Sequence, residues 1–157
     1  MAKRIFSKVS PAVWHSPRFK KAGDDGRYLH LYFLTCGHQN SCGCCLIPEG
    51  YACADLDWPP DRYRKALQEL CNLGLVSHDA ETSEIYIERW FLHNKPMNKS
   101  HAEGTRRLIS DIDSDTLREK VEEDFLETTD SPANAPPASE NYGGHLSGSR
   151  FLRPVAG

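Results

Sequence analysis

Residues 62–91, "RYRKALQELCNLGLVSHDAETSEIYIERWF", change period partway along. Tyr63, Ala66, Leu67, Leu70 and Cys71 follow i, i+3, i+4 and i+7 spacing, which places them on one face of a helix from about Asp61 to Leu73. Gly74 follows, the residue type that most readily adopts the left-handed conformation closing a helix. "LVSHD" and "EIYIERWF" then read as antiparallel strands around the turn "AETS". A compact helix therefore runs directly into a two-stranded hairpin.

Working upstream, Asp24-Asp25-Gly26 opens a helix through "RYLHLYFLTC". Tyr28, Leu29, Leu31, Tyr32, Phe33 and Leu34 are apolar on nearly every side of it, predicting a central, mostly buried element. "GHQNSCG" breaks this helix, and "CCLIP" reads as a short strand closed by Pro48. "EGYACADLD" gives one or two helical turns with Tyr51, Ala52 and Leu56 inward. Pro59 or Pro60 then suits the first turn of the next helix. Downstream of the hairpin, "HAEGTRRLISDI" predicts a short helix and "SDTLREKVEEDFLE" a second. The latter has a capping box of Thr116 and Glu119 and an apolar stripe of Leu117, Val121 and Phe125 or Leu126.

The order helix, short strand, helix, helix, hairpin is that of a winged helix-turn-helix. The expected class is mostly α with a small β-hairpin, an α+β fold with C-terminal helices. The expected units are a winged-helix domain over residues 1–104 with an N-terminal arm, a helical extension over 105–127, and a tail over 128–157. The tail is rich in Pro, Ser, Gly, Ala and Asn without apolar periodicity, a composition that predicts disorder.

The chain has 157 residues and a net charge of -3, unevenly spread. Residues 1–110 hold 15 Lys/Arg and 12 Asp/Glu, whereas residues 111–157 hold 4 and 10. A mildly basic body beside an acidic end is compatible with nucleic-acid binding. No apolar run approaches the ~18–20 residues of a membrane span, and no apolar region follows Lys3, Arg4 and Lys8 as in a secretory signal. A cytoplasmic location in a bacterial host cell, with no membrane association, is expected. Six cysteines then read as reduced thiols, Cys53 and Cys71 among them as small core residues.

Opposite the apolar face, the 61–73 helix presents Asp61, Arg64, Lys65, Gln68 and Asn72, with Arg62 and Glu69 at its edge. Arg and Lys donate to guanine edges or phosphates, and Gln and Asn pair with adenine. Arg62, Arg64, Lys65, Gln68 and Asn72 are the candidate readers of double-stranded DNA. Lys20 and Lys21, with Arg18, precede the first long helix; Lys95, Lys99, Arg106 and Arg107 follow the hairpin, and both groups are candidate clamps on the duplex backbone. The hairpin itself carries Asp79, Glu81, Glu84 and Glu88, which repel phosphate and suit a protein contact instead.

Cys36, His38, Cys42, Cys44 and Cys45 lie within ten residues, and thiolate and imidazole are zinc ligands. Their spacing lacks the usual C-x2–4-C pairs, so the main expectation is a turn of reduced cysteines, with zinc as the alternative. No cofactor is expected. Phosphate-loop, nucleophile-elbow and H-E-x-x-H motifs do not occur in the sequence. His93 reads as a structural hydrogen-bonder at a strand exit, and a Cys42–His38 thiolate pair lacks an orienting third group. The expectation is a non-enzymatic protein.

"TCGHQNSCG", "LIPEGYACADL" and "FLHNKP", with the stretches around them over about residues 4–127, resemble the N-terminal winged-helix domains of bacteriophage and prophage replisome organisers and replication initiators, related to DnaD-type primosomal proteins. The resemblance implies duplex DNA binding, often as an oligomer, and recruitment of replication partners. Where full-length initiators usually carry a second folded domain, a helical stretch and tail are expected here. A transcriptional regulator and a protein–protein module binding a host or phage partner through the acidic hairpin are the alternatives. "GSRFLRPVAG", with Phe151 and Leu152 between Arg150 and Arg153, also suits a docking peptide.

Overall fold

A computed structural model describes residues 5–130. After a 3-10 turn at Pro11–His15 come α1 (Pro17–Lys21), α2 (Asp24–Thr35), β1 (Cys44–Leu46), α3 (Glu49–Leu56) and α4 (Pro60–Asn72). Then follow β2 (Val76–Asp79), β3 (Glu84–Ile87), α5 (Trp90–His93), α6 (Lys99–Ser110) and α7 (Asp115–Asp130). The architecture is mostly helical with one three-stranded antiparallel sheet in the order β1-β3-β2. The strand read in "CCLIP" thus joins the hairpin: Cys44 lies opposite Tyr86 and Cys45 opposite Ile85, while Ser77 flanks Tyr86 from β2.

Central strand β3 is buried at every position. Side chains alternate across a strand, so two layers are required to cover it. Ile85 and Ile87 join the core of Leu29, Phe33, Tyr63, Leu67 and Leu70 from α2 and α4. Tyr86 faces the other way, its hydroxyl donating to Asp124 of α7 at 2.5 Å. On that same side the Glu84 carboxylate, 7% exposed, accepts the backbone N–H groups of Asp113 (3.0 Å) and Ser114 (2.8 Å). Glu88 pairs with Lys120 at 2.6 Å. Ile109, Ile112, Leu117, Val121 and Phe125 extend the same core into the C-terminal helices, and residue 104, the expected end of the first unit, falls inside α6.

Local chemistry sets the boundaries. Pro60 occupies the first turn of α4, where a missing N–H costs nothing. At its other end Gly74 takes φ +65°, Gly74 N–H donates to Cys71 and Leu75 N–H to Leu70, a reciprocal closure of the last carbonyls. The hairpin turn is held by Asp79, whose carboxylate accepts from the N–H of Glu81 (2.9 Å) and Thr82 (3.4 Å).

Five sequence expectations are corrected. "ERWF" does not continue the strand: Arg89 adopts φ 58° and Trp90 starts a helical turn, because Trp90 and Phe91 both have to reach the core. Tyr51 of α3 is 61% exposed, whereas Ala52 is buried as expected. Tyr28 of α2 is likewise exposed, so that helix is buried on one side only. The cap of α7 is Ser114, whose Oγ accepts from Leu117 N–H at 3.3 Å, and not Thr116. Finally, α7 runs to Asp130, past the composition change at Thr128. The rest of the expected tail, with its docking peptide, lies outside the described residues.

Gly43 is where the loop and the helical turn after β3 meet. It sits at φ +73°, and a β-carbon there would fall 2.3 Å from the Trp90 ring. Trp90 also donates its indole N–H to the Ser41 carbonyl at 2.9 Å. Gly43→Ala is expected to cost about 2–4 kcal/mol from backbone strain plus the clash, read as a lower denaturant midpoint at unchanged slope.

His30 supplies a pH dependence. Burial, and secondarily the Arg18 charge, push its imidazole down from 6.5 to about 4. Between those values the unfolded chain binds a proton that the folded chain refuses, so this contribution is fully present above pH 6.5 and is lost as pH falls through 4. The gap corresponds to about 3 kcal/mol. Urea titrations from pH 7 to pH 4 should show that loss in the native chain and a shallower one in His30→Leu.

Candidate nucleic-acid interface

α4 packs its apolar face on α2 and α3 and abuts β2. Tyr63, Ala66, Leu67 and Leu70 are buried, while Arg62, Arg64, Lys65, Gln68 and Asn72 are all exposed. The C-terminal helices lie elsewhere: α7 packs on α5, α6 and the sheet. All five candidate readers thus share one open face.

That face is charge-balanced. The Arg62 guanidinium binds Asp25 of α2 through two hydrogen bonds, at 2.9 and 2.7 Å, and lies 4.3 Å from the Trp58 ring centroid. Arg64 grips Glu49 of α3 in the same two-pronged way, at 2.8 and 2.6 Å, with Asp61 3.7 Å away. These hydrogen bonds hold the Asp25 and Glu49 carboxyls below the usual carboxylate range. Gln68 donates to Asn72 at 2.9 Å. Glu69, at the edge of the face, accepts the Gly23 N–H at 2.9 Å, fastening the start of α2 to α4. Trp58 stacks on Tyr28, with centroids 5.7 Å apart, so Tyr28, Trp58 and Arg62 form a layered surface beside the helix.

No family model matches this chain, and no curated protein or solved structure is detectably similar to it.

The basic flanks are divided. Lys20 and Lys21 are exposed at the end of α1, just before α2, the principal packing partner of α4. Arg18 is instead structural, donating to the Gly74 carbonyl at the end of α4. Lys95 and Lys99 are exposed, and Arg106 and Arg107 are exposed on α6, whose packing partner is α7; the Arg106 guanidinium lies 5.3 Å from the Phe125 ring centroid. The structure therefore sets Lys20 and Lys21 just before α2 and the second basic group on α6 and the segment that leads into it.

The acidic hairpin is not an open acidic surface. Asp79 accepts from Ser114 Oγ at 2.6 Å as well as from its own turn, and Glu84 and Glu88 are bound to the α6–α7 connection and to α7. Glu81, at the turn, is exposed. Three of the four hairpin carboxylates are thus engaged internally, and of these Glu88 is the one paired with a cation, Lys120.

The cysteine loop does not assemble the zinc alternative. Among the described residues no group of three or more His, Cys, Asp or Glu is arranged to hold a metal ion. Cys36 and Cys45 pair with each other across the α2–β1 contact. Proximity of the two thiols lowers the Cys36 pKa and, with burial, raises that of Cys45, while the Cys36 thiol donates to the Phe33 carbonyl. Burial pushes Cys42 up to about 11 and raises Cys44 as well. His38 is exposed, stacked on Tyr51 and 3.9 Å from Asp55. Amide side chains shape the loop: Asn40 accepts from Cys42 N–H (3.0 Å) and donates to the Cys44 carbonyl (2.7 Å), and Gln39 donates to the Phe33 carbonyl (2.9 Å).

Sequence reasoning missed Asp25, Glu49, Tyr28 and Trp58. A helical wheel shows which way Arg62 and Arg64 point but not what the neighbouring helices offer them. The one available signal was an acid in the first turn of each preceding helix. For the loop, excess chelator is expected to leave Tm unchanged, with Cys42→Ser nearly silent to metal content. Asn40→Ala should destabilise by about 1–3 kcal/mol, since buried backbone groups lose their partner.

Proposed function

We propose that the chain is a winged-helix protein that binds double-stranded DNA through α4, without catalysis. The supporting order is α2, β1, α3, α4 and the β2–β3 hairpin, with β1 on the hairpin's inner strand. The observation that carries the reading is the open α4 face, where two guanidiniums, one ammonium and two amide side chains project from a helix whose other side is locked into the core. Lys20 and Lys21 extend the positive charge toward the flanking backbone. Resemblance to phage and prophage initiators directs the role toward replication initiation or its control, in the bacterial cytoplasm. Oligomer formation is in keeping with that role, and a transcriptional regulator would use the same face.

Binding requires an exchange. Arg62 and Arg64 must leave Asp25 and Glu49 for phosphate or a base edge. Exposed ion pairs are weak and salt-screened, so a polyanion can compete for the guanidiniums. The carboxylates left behind still repel the duplex, which makes them brakes on affinity.

A second reading has its own observation. On α7, Leu126 is 45% exposed among Glu119, Glu122, Glu123 and Glu127, a face suited to a basic, apolar protein partner. Here α7 takes the place expected of the hairpin.

Gel shifts across a salt series separate the two. About 4–6 phosphate contacts predict log K falling against log salt with a slope of roughly -4 to -5. Lys65→Ala and Arg64→Ala should weaken binding, whereas Asp25→Asn with Glu49→Gln should strengthen it at low salt. No retardation of any duplex by that double variant would refute the α4 reading and favour α7.

A further inference from the structure

A cavity of about 510 Å³ lies between the N-terminal segment and the β3–α5 junction, on a part of the molecule the DNA reading does not use. Its volume is in the range of roughly 300–1,000 Å³ typical of small-molecule sites. Phe19 and Trp90 form apolar walls with Leu34 and Ile87, and Lys8, Arg18 and Arg89 also line it.

Three features of the wall are left incompletely compensated. His30 is 6% exposed and lines the cavity, yet no hydrogen bond reaches its side chain, and its Nδ1 is buried without a partner. A buried polar group in that condition is costly and calls for one. Arg18 and Arg89 carry like charges close enough that Arg89 lowers the Arg18 pKa, second only to burial. Glu88, the carboxylate on the wall, offsets this repulsion at Arg18 only in part, being bound already by Lys120 and Ser77. Arg89 also holds a left-handed backbone, φ 58°, that arginine does not favour, and its side chain makes no hydrogen bond or ion pair among the described residues. Cationic polar groups on apolar walls define an anionic head on a hydrocarbon body.

We propose that this cavity binds a small organic carboxylate, its head held by Arg18, Arg89 and His30 and its apolar body against Phe19 and Trp90. Arg18 keeps its bond to the Gly74 carbonyl and offers its remaining donors, so it is both a structural and a ligand-facing residue. The Arg89 backbone turns the chain into α5, while its guanidinium is left to the ligand. The site does not depend on whether α4 binds DNA.

The test is an amide NMR titration of the full chain with sodium octanoate, 1-octanol and inorganic phosphate. Octanoate should give saturable shifts confined to Phe19, His30, Arg89, Trp90 and their neighbours. Octanol and phosphate should each bind at least about tenfold more weakly, since each lacks one half of the recognition. Arg89→Asn, which tolerates the left-handed backbone, should weaken octanoate at least about fivefold and leave octanol unchanged. His30→Leu, which removes one of the three groups that hold the head, provides the same comparison should Arg89→Asn fail to fold. Absence of saturable octanoate shifts, equal binding of octanol, equal binding of phosphate, or affinity unmoved by the folded variant would each overturn the proposal.

Discussion

Contact of the Trp90 indole with the bare Cα of Gly43 is the constraint on which the rest of the molecule turns. It brings the loop after α2 against the residue that ends the hairpin, and the Gly43 carbonyl accepts Ile87 N–H at 3.0 Å in the same place. β1 can therefore pair with β3 only in one register. With Trp90 seated, the next residue, Phe91, meets Phe125 of α7 edge-on, with centroids 5.1 Å apart. Trp90 also forms one wall of the N-terminal cavity. The sheet, the C-terminal helices and the cavity all take their positions from one glycine lacking a side chain.

On the other side of the sheet, α4 illustrates a compromise between stability and reach. Its arginines tie the first turns of α2 and α3 to the helix while facing solvent. The same guanidiniums cannot rest unpaired beside Asp25 and Glu49 and also be instantly available to a polyanion. On the proposed DNA-binding reading, such a surface favours a ligand dense enough in charge to displace two carboxylates at once.

Much of this was legible from the chain. The i, i+3, i+4, i+7 spacing of Tyr63, Ala66, Leu67 and Leu70, with Pro60 before and Gly74 after, specified α4 because helix periodicity and end chemistry are local. Leu117, Val121 and Phe125 declared the buried stripe of α7 for the same reason. What escaped was pairing across space. Nothing in "CCLIP" names β3 as its neighbour, and the full burial of "EIYI" depends on α7 arriving some thirty residues later. Arg62 and Arg64 were correctly directed outward, but Asp25 and Glu49 reach them from other elements. The cluster from Cys36 to Cys45 offered zinc as an alternative only through proximity in sequence. In space the thiols divide between the two sheet faces and His38 turns to Tyr51.

The Glu84 carboxylate, roofed by Asp113 and Ser114, has a consequence for how the protein is made. During synthesis β3 leaves the ribosome well before those two amides do, so its acid has no donors and must stay hydrated while the nascent chain lengthens. The sheet cannot dry out strand by strand. It must wait for the start of α7, so the hairpin and the C-terminal helices mature together as a late, concerted event even though α2, α3 and α4 can collapse earlier.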